Sequence, residues 1–189
     1  MKKVLLGSVL TATLLLAGNN AKDKIEEPTT KLEKIRDIKG SILVKGYQEI
    51  GAMRGKYSHS LKVLIYEFNN KKSKVKTHGL SIEVDTGEKY NNEASSFVDY
   101  EEIPSLLKGL EFIGKINDNP TKLKNYEASY KTNGGVKITN FNSRSGNLVA
   151  VQVGKYSPKS AYFQPKELIN LKKIISDSYK KLKKLKGKK

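Results

Sequence analysis

Two stretches of this chain read alike. SSFVDYEEIPSLLKGL from Ser95 can be laid on SAYFQPKELINLKKII from Ser160 at a shift of 65 residues. Phe97 then falls on Tyr162, Glu102 on Glu167, Ile103 on Leu168, Leu106 on Leu171 and Leu110 on Ile175. Upstream, Phe68-Asn69 falls on Phe141-Asn142 at a shift of 73, so the first half has the longer loops between these points. Amphipathic helices that follow short strands share some pattern by chance. The common spacing of serine, aromatic, glutamate and aliphatic positions argues for more, an internal duplication. One unit of four short strands and a helix buries too little apolar surface to stand alone. Two can enclose a shared core, either side by side or with their helices exchanged.

The periodicity inside each half gives the elements. In the first, Ser41 to Ile50 reads as a strand, and Leu61 to Phe68 as a stronger one rich in branched and aromatic residues. Leu80, Ile82 and Val84 alternate with Ser81, Glu83 and Asp85, which predicts one buried face and one wet face. Ser95 to Val98 is a short fourth strand. The period then changes: Ile103, Leu106, Leu107, Leu110 and Ile113 form one helical stripe. Asp99 and Glu102 suit a capping box. Pro104 conflicts with a regular helix from Asp99 and moves its start to Pro104, after an irregular turn. Gly109 and Gly114 each cost a helix about 1 kcal/mol relative to alanine, which makes sense where a helix lies tightly on a sheet. The sequence NDNP at 117–120 ends the helix.

The second half repeats the plan. Leu123 to Lys131 is a strand, Asn133-Gly134-Gly135 a tight hairpin, and Val136 to Phe141 the returning strand. SRSGN at 143–147 is a turn. Val149, Val151 and Val153 alternate inward, and Ser160 to Phe163 is a short strand. Pro165 opens a long helix with Leu168, Leu171, Ile175, Leu182 and Leu185 on one stripe. The expected fold is α+β: two ββββα repeats, over 41–118 and 121–189, with mainly antiparallel sheets each packed by one amphipathic helix, forming one composite domain.

The beginning of the chain reads as a signal peptide over 1–21. Lys2 and Lys3 are followed by an uncharged apolar stretch, Val4 to Gly18, too short to span a bilayer. Leu16-Ala17-Gly18 resembles the start of a lipobox, but Asn19 stands where a lipidated cysteine belongs. With Asn19 at a position that is usually small, the expectation is either cleavage near Gly18 to Ala21 or inefficient processing. Residues 22–40, with Pro28 and Thr29-Thr30, read as a polar tether leading to a short helical or irregular segment at Leu32, Ile35 and Ile38. The expected location is outside the cytoplasm, periplasmic or associated with the cell envelope. The chain has no cysteine, which excludes disulfides, thiolate zinc sites and cysteine nucleophiles.

The formal net charge is +17. Residues 172–189 hold nine lysines and one aspartate. This tail is a basic amphipathic helix. Lys180, Lys181, Lys183, Lys184 and Lys186 are the candidate contacts to an anionic lipid, lipopolysaccharide or a wall polymer. Lysines near a helix C-terminus are also favoured by its dipole alone. A second cluster, Lys71, Lys72, Lys74 and Lys76, reads as the solvated end of an edge, where lysines discourage strand pairing.

The chain carries no glycine loop before a helix and no legible nucleophile with its base and orienting group. His59 and His78 could meet across a hairpin, and Glu101 and Glu102 suit a helix start. The expectation is a non-catalytic protein with no catalytic, metal or cofactor-binding residues. Aromatic and basic residues do gather on the strands: Tyr66, Phe68, Tyr126, Tyr130, Lys131, Lys137, Phe141 and Arg144. Stacked rings flanked by cations can hold single-stranded nucleic acid. Tyr126, Tyr130, Lys131, Phe141 and Arg144 are the candidate contacts on such a sheet face. Over residues 41 to 185 the plan resembles PUR/Whirly-type domains in architecture, which implies nucleic-acid binding; export argues against that partner. Tyr126 to Leu182 (YEASYKTNGGVKITNFNS, then SAYFQPKEL) resembles small exported bacterial proteins of a domain-of-unknown-function family, which implies no particular activity. The expected role is therefore binding or structural, at the bacterial cell envelope.

Overall fold

Branched and aromatic residues at every second position drive eight strands, and two helical stripes close them off. The computed structural model describes residues 30–90, 92–116, 120–144 and 146–187. The expected signal peptide and the tether up to residue 29 lie outside the described residues.

In chain order the elements are α1 (Lys31–Arg36), β1 (Leu43–Arg54), β2 (Ser60–Asn70), β3 (Lys76–Asp85), β4 (Glu93–Asp99) and α2 (Ile103–Gly114). They continue with β5 (Glu127–Lys131), β6 (Lys137–Ser143), β7 (Gly146–Val153), β8 (Lys159–Phe163) and α3 (Leu168–Gly187). The sheets are β1-β2-β3-β4 and β5-β6-β7-β8, antiparallel throughout. The fold is the expected α+β arrangement of two ββββα units. The 65-residue shift carries the turn Tyr100–Glu102 before α2 onto the turn Pro165–Glu167 before α3. Both are single 3-10 turns, and Pro104 stands in the first turn of α2.

The helices are exchanged between the units. α2 follows the first sheet but lies on the second. Gly109 has its backbone against the ring of Tyr130, where an added Cβ would stand 2.5 Å from a ring carbon. The Tyr130 hydroxyl donates to Ser105 Oγ (2.9 Å), and Asn140 Nδ2 donates to the carbonyl of Ile113 (3.1 Å). α3 returns to the first sheet: Ile174 sits over Gly51, and Lys181 Nζ donates to Gln48 Oε1. Between the helices, β3 and β4 meet β7 and β8 directly, and the Gly154 amide donates to Ser96 Oγ at 3.0 Å. One core results. It joins Leu61, Val63, Ile65, Leu80, Ile82 and Val84 to Ile138, Val149, Val151 and Phe163, with Leu106, Leu110, Leu171 and Ile175 from the helices.

A smaller core lies on the back of the first sheet. Leu32 and Ile35 of α1 cover Tyr66, Phe68 and Phe97, whose rings meet edge to face at 5.4–5.8 Å between centroids. A six-residue helix is too short to form alone, so its ends are held from elsewhere. Thr30 Oγ1 accepts from the Glu33 amide (3.0 Å) and Glu33 Oε2 accepts from the Thr30 amide (3.0 Å), a capping box. Asp99, at the end of β4, accepts from the amides of Lys31 (2.8 Å) and Leu32 (3.2 Å). The Lys155 ammonium, from the β7–β8 loop, lies 3.0 Å from the Glu33 carboxylate. Burial opposes ionisation of Glu33, but Lys155 and Thr30 outweigh it and hold its pKa below the ordinary carboxylate value.

Several expectations change. The folded part begins by Thr30 rather than near Ser41, because Leu32 and Ile35 find an aromatic surface to cover. Asp99 and Glu102 do not cap their own helix: Asp99 serves α1, and Glu102 Oε1 accepts from the Asn133 amide at 2.7 Å. Ser81 is only 1% exposed although its alternation assigned it to water; its register neighbours are Leu64 and Phe97, which α1 shelters. β5 begins at Glu127 rather than Leu123, which is exposed. Leu185 falls outside the buried stripe of α3. The Asn133-Gly134-Gly135 hairpin forms as expected and also presses on the first sheet. A Cβ on Gly134 would stand 1.8 Å from the carbonyl oxygen of Phe97.

Candidate functional site

The exposed side of α3 concentrates positive charge. Leu168, Leu171, Ile175, Ser178 and Leu182 face inward, and Ser178 is accommodated by donating its hydroxyl to the carbonyl of Ile174 (2.8 Å). On the opposite side the helical period aligns Ile169, Lys173, Asp177, Lys180 and Lys184. The ammonium groups of Lys173 (3.0 Å) and Lys180 (3.5 Å) share the Asp177 carboxylate. Lys172 reaches Glu111 of α2 at 3.0 Å. Lys115 joins Lys172 at that carboxylate, and together they hold its pKa down to about 2.

The five tail lysines singled out from sequence have different settings. Lys181 is engaged with Gln48. Lys186 lies 3.5 Å from Glu101 and 4.1 Å from the ring centroid of Tyr100, which itself packs on Tyr179. Among the described residues Lys180 has only its exposed contact with Asp177. Lys183 and Lys184 are exposed and, among the described residues, enter no ion pair. Exposed pairs such as Lys180–Asp177 are weak because water and salt screen them, so Lys180 is readily available to an external anion. With Lys183 and Lys184 it forms a cationic surface on a helix anchored by its buried stripe.

The candidate sheet-face residues do not share one face. Tyr126 and Tyr130 turn inward, toward α2. Tyr126 is 8% exposed and donates its hydroxyl to Asn140 Oδ1 at 3.2 Å. Lys131 and Phe141 lie on the open back, and exposed Arg144 is in the β6–β7 turn. Tyr66 and Phe68 of the first sheet are buried under α1. The stacking platform is thereby dismantled by the core, which claims most of the rings. What remains on the back of the second sheet is a shallow hollow of about 200 Å³, lined among others by Glu127, Lys137, Phe141, Gln152 and Tyr162. Tyr162 continues into a ring cluster with Tyr57 and His59. Sequence reading missed this cluster because Tyr57 belongs to a turn with left-handed backbone (φ 59°), which no periodicity reports.

The two histidines do not meet. β2 and β3 pair Glu67 with His78 and Ser60 with Asp85, so His59 and His78 stand at opposite ends of the hairpin. His78 Nε2 lies 2.9 Å from Glu67 Oε2. A second hollow, of about 240 Å³, lies near the β3–β4 turn beside Lys62, Glu83, Asp85 and Glu93. Burial pushes the Glu83 carboxyl up, against the pull of Lys62. Among the described residues there is no cluster of side chains suited to a metal ion, and no helix long and apolar enough to cross a membrane.

Compared with protein-family models and with curated proteins, the chain matches none.

Proposed function

We propose that this is an exported, non-catalytic binding protein of the bacterial cell envelope that engages anionic surfaces through α3. The observation that carries this reading is the exposure of Lys180, Lys183 and Lys184 on a helix fixed by its buried stripe. Lys172 and Lys186 of the basic tail do reach acidic residues of the domain, Glu111 and Glu101. Lys183 and Lys184 make no ion pair among the described residues. The nucleic-acid alternative has less support, because Tyr126 and Tyr130 are committed to packing under α2.

The test replaces Lys180, Lys183 and Lys184 together by glutamine. Truncation at residue 180 is a poorer test because it removes Leu182, which is fully buried. Each lysine near an anionic surface contributes about 1 kcal/mol, so the triple variant should bind phosphatidylglycerol-rich vesicles or a soluble polyanion roughly a hundredfold more weakly. Binding by the native protein should fall as salt rises. A triple variant that binds both as tightly as the native chain would refute the role of α3. Labelled single-stranded DNA in the same titration examines the alternative: preferential DNA binding that Phe141→Ala weakens would favour the sheet face.

A further inference from the structure

Two lysine clusters about 110 residues apart in sequence converge on one end of the first sheet. α3 runs antiparallel to β1, with Ile174 over Gly51 and Lys181 at Gln48. Seven helical residues advance about 10 Å, as do three strand residues, so the two elements keep pace. The last turn of α3 therefore lies toward the beginning of β1. Its Lys186 reaches Glu101, just past the end of β4. By register, the beginning of β1 (Leu43), the end of β2 (Asn70), the beginning of β3 (Lys76) and the end of β4 (Asp99) form one edge of the sheet. The β2–β3 turn, with Lys71, Lys72 and Lys74, and the loop from α1 to β1 are at this same end.

The surface between these cations is aliphatic. Ile42 is 71% exposed, Val75 51% and Ile38 49%. Ile42 and Val75 are fixed by backbone bonds. The Lys71 amide donates to the carbonyl of Ile42 (2.9 Å), and the Asn70 amide donates to that of Val75 (3.0 Å). Asn70 is 1% exposed. Its side-chain oxygen accepts from the Ser41 hydroxyl (2.6 Å) and from the amides of Lys72 and Ser73 (each 3.0 Å). Lys71, Lys72, Lys74 and Lys76 are exposed and unpaired among the described residues. Aliphatic tips held out among lysines are poorly matched to water or to a hydrophilic polymer. They match the boundary of a bilayer with anionic head groups, where the cations meet phosphates and the aliphatic tips enter the acyl region.

We propose that this end of the molecule is a docking surface for an anionic lipid bilayer, which Ile38, Ile42 and Val75 enter while the β2–β3 turn and the C-terminal end of α3 hold the head groups. This rests on the anionic-surface reading above and names its target. The chain contains no tryptophan, so Ile42→Trp and Val75→Trp each introduce a single reporter. With phosphatidylglycerol-rich vesicles both reporters should shift to shorter emission wavelength. With phosphatidylcholine vesicles or dextran sulfate neither should. In the otherwise native chain, Ile42→Asn with Val75→Asn should weaken vesicle binding about tenfold and leave dextran sulfate binding unchanged. Circular dichroism of each variant confirms the fold. Vesicle binding unaffected by the asparagine pair, or reporters that stay in water on bound vesicles, would overturn the lipid assignment. Binding to dextran sulfate without binding to vesicles would also overturn it and leave the role of α3 standing. Binding to neither would remove both.

Discussion

Dividing the chain between residues 118 and 121 gives two fragments, each with a sheet and the helix that follows it. If each helix served its own sheet, each fragment would at least keep the cover of its own helix over a small core. The exchange makes the opposite prediction. The first fragment loses α3, and with it Leu171, Ile175 and Leu182, each at most 1% exposed in the whole chain. Full burial of such a side chain is worth about 1.5–3 kcal/mol, so the missing helix takes roughly 5–9 kcal/mol with it. That is most of the 5–15 kcal/mol by which a domain of this kind is stable. The second fragment likewise loses α2 and uncovers Tyr130 and Asn140. Each fragment alone should show no cooperative thermal transition by circular dichroism. An equimolar mixture should recover one, together with a single complex on gel filtration. A cooperative transition in either fragment by itself would refute the exchange argument.

Two further perturbations probe the joints between elements. Gly134→Ala would force a Cβ toward the Phe97 carbonyl oxygen, which stands 1.8 Å away, and should lower stability in urea by about 3 kcal/mol or more. Gly46→Ala meets nothing closer than 3.9 Å and should be neutral or stabilising by about 0.5–1 kcal/mol; equal midpoints for the two variants would contradict the close hairpin contact. Lys155→Met leaves the Glu33 carboxylate buried without its cation and should cost about 3 kcal/mol at neutral pH. Because the folded-state pKa of Glu33 is lowered, its stabilisation is full above the ordinary carboxylate value of 4.5 and is lost as pH falls through the depressed one. The difference between native and variant should therefore narrow on acidification, and a gap independent of pH would count against this account.

The strand order and both long helices were legible because period two and period 3.6 are imposed locally by the core face. Pro104 marked the first turn of α2, whereas Pro165 marked the 3-10 turn before α3, which begins at Leu168; a fixed φ and a missing N–H suit such starts. The exchange of helices was not legible, since an amphipathic stripe reports that it is covered and not by which sheet. α1 is legible only as a short helical or irregular segment after a tether because six residues carry too little pattern, and its stability comes from Asp99, Lys155 and three rings distant in sequence. The candidate binding residues divided along the same line. Tail lysines follow from composition and helical period, whereas the inward turn of Tyr126 and Tyr130 depends on which side of β5 receives α2. Val75 gave no signal because a lone aliphatic between lysines is ordinary in a sequence, and Ile42 was absorbed into the strand pattern from Ser41 to Ile50.

β3 begins beside the lysines of one turn and ends among Glu83, Asp85 and Glu93 near the other. By register Arg54 and Lys62 offset those carboxylates, so the first sheet carries its densest unpaired positive charge, among the described residues, at the lysine end. A negatively charged plane exerts a torque on such an object as well as a pull, and both act within a Debye length of about 10 Å in dilute salt. A molecule drifting toward that plane is turned lysine end first before any side chain touches it. Reversing the carboxylates at the far end would leave the contact surface intact and slow its capture.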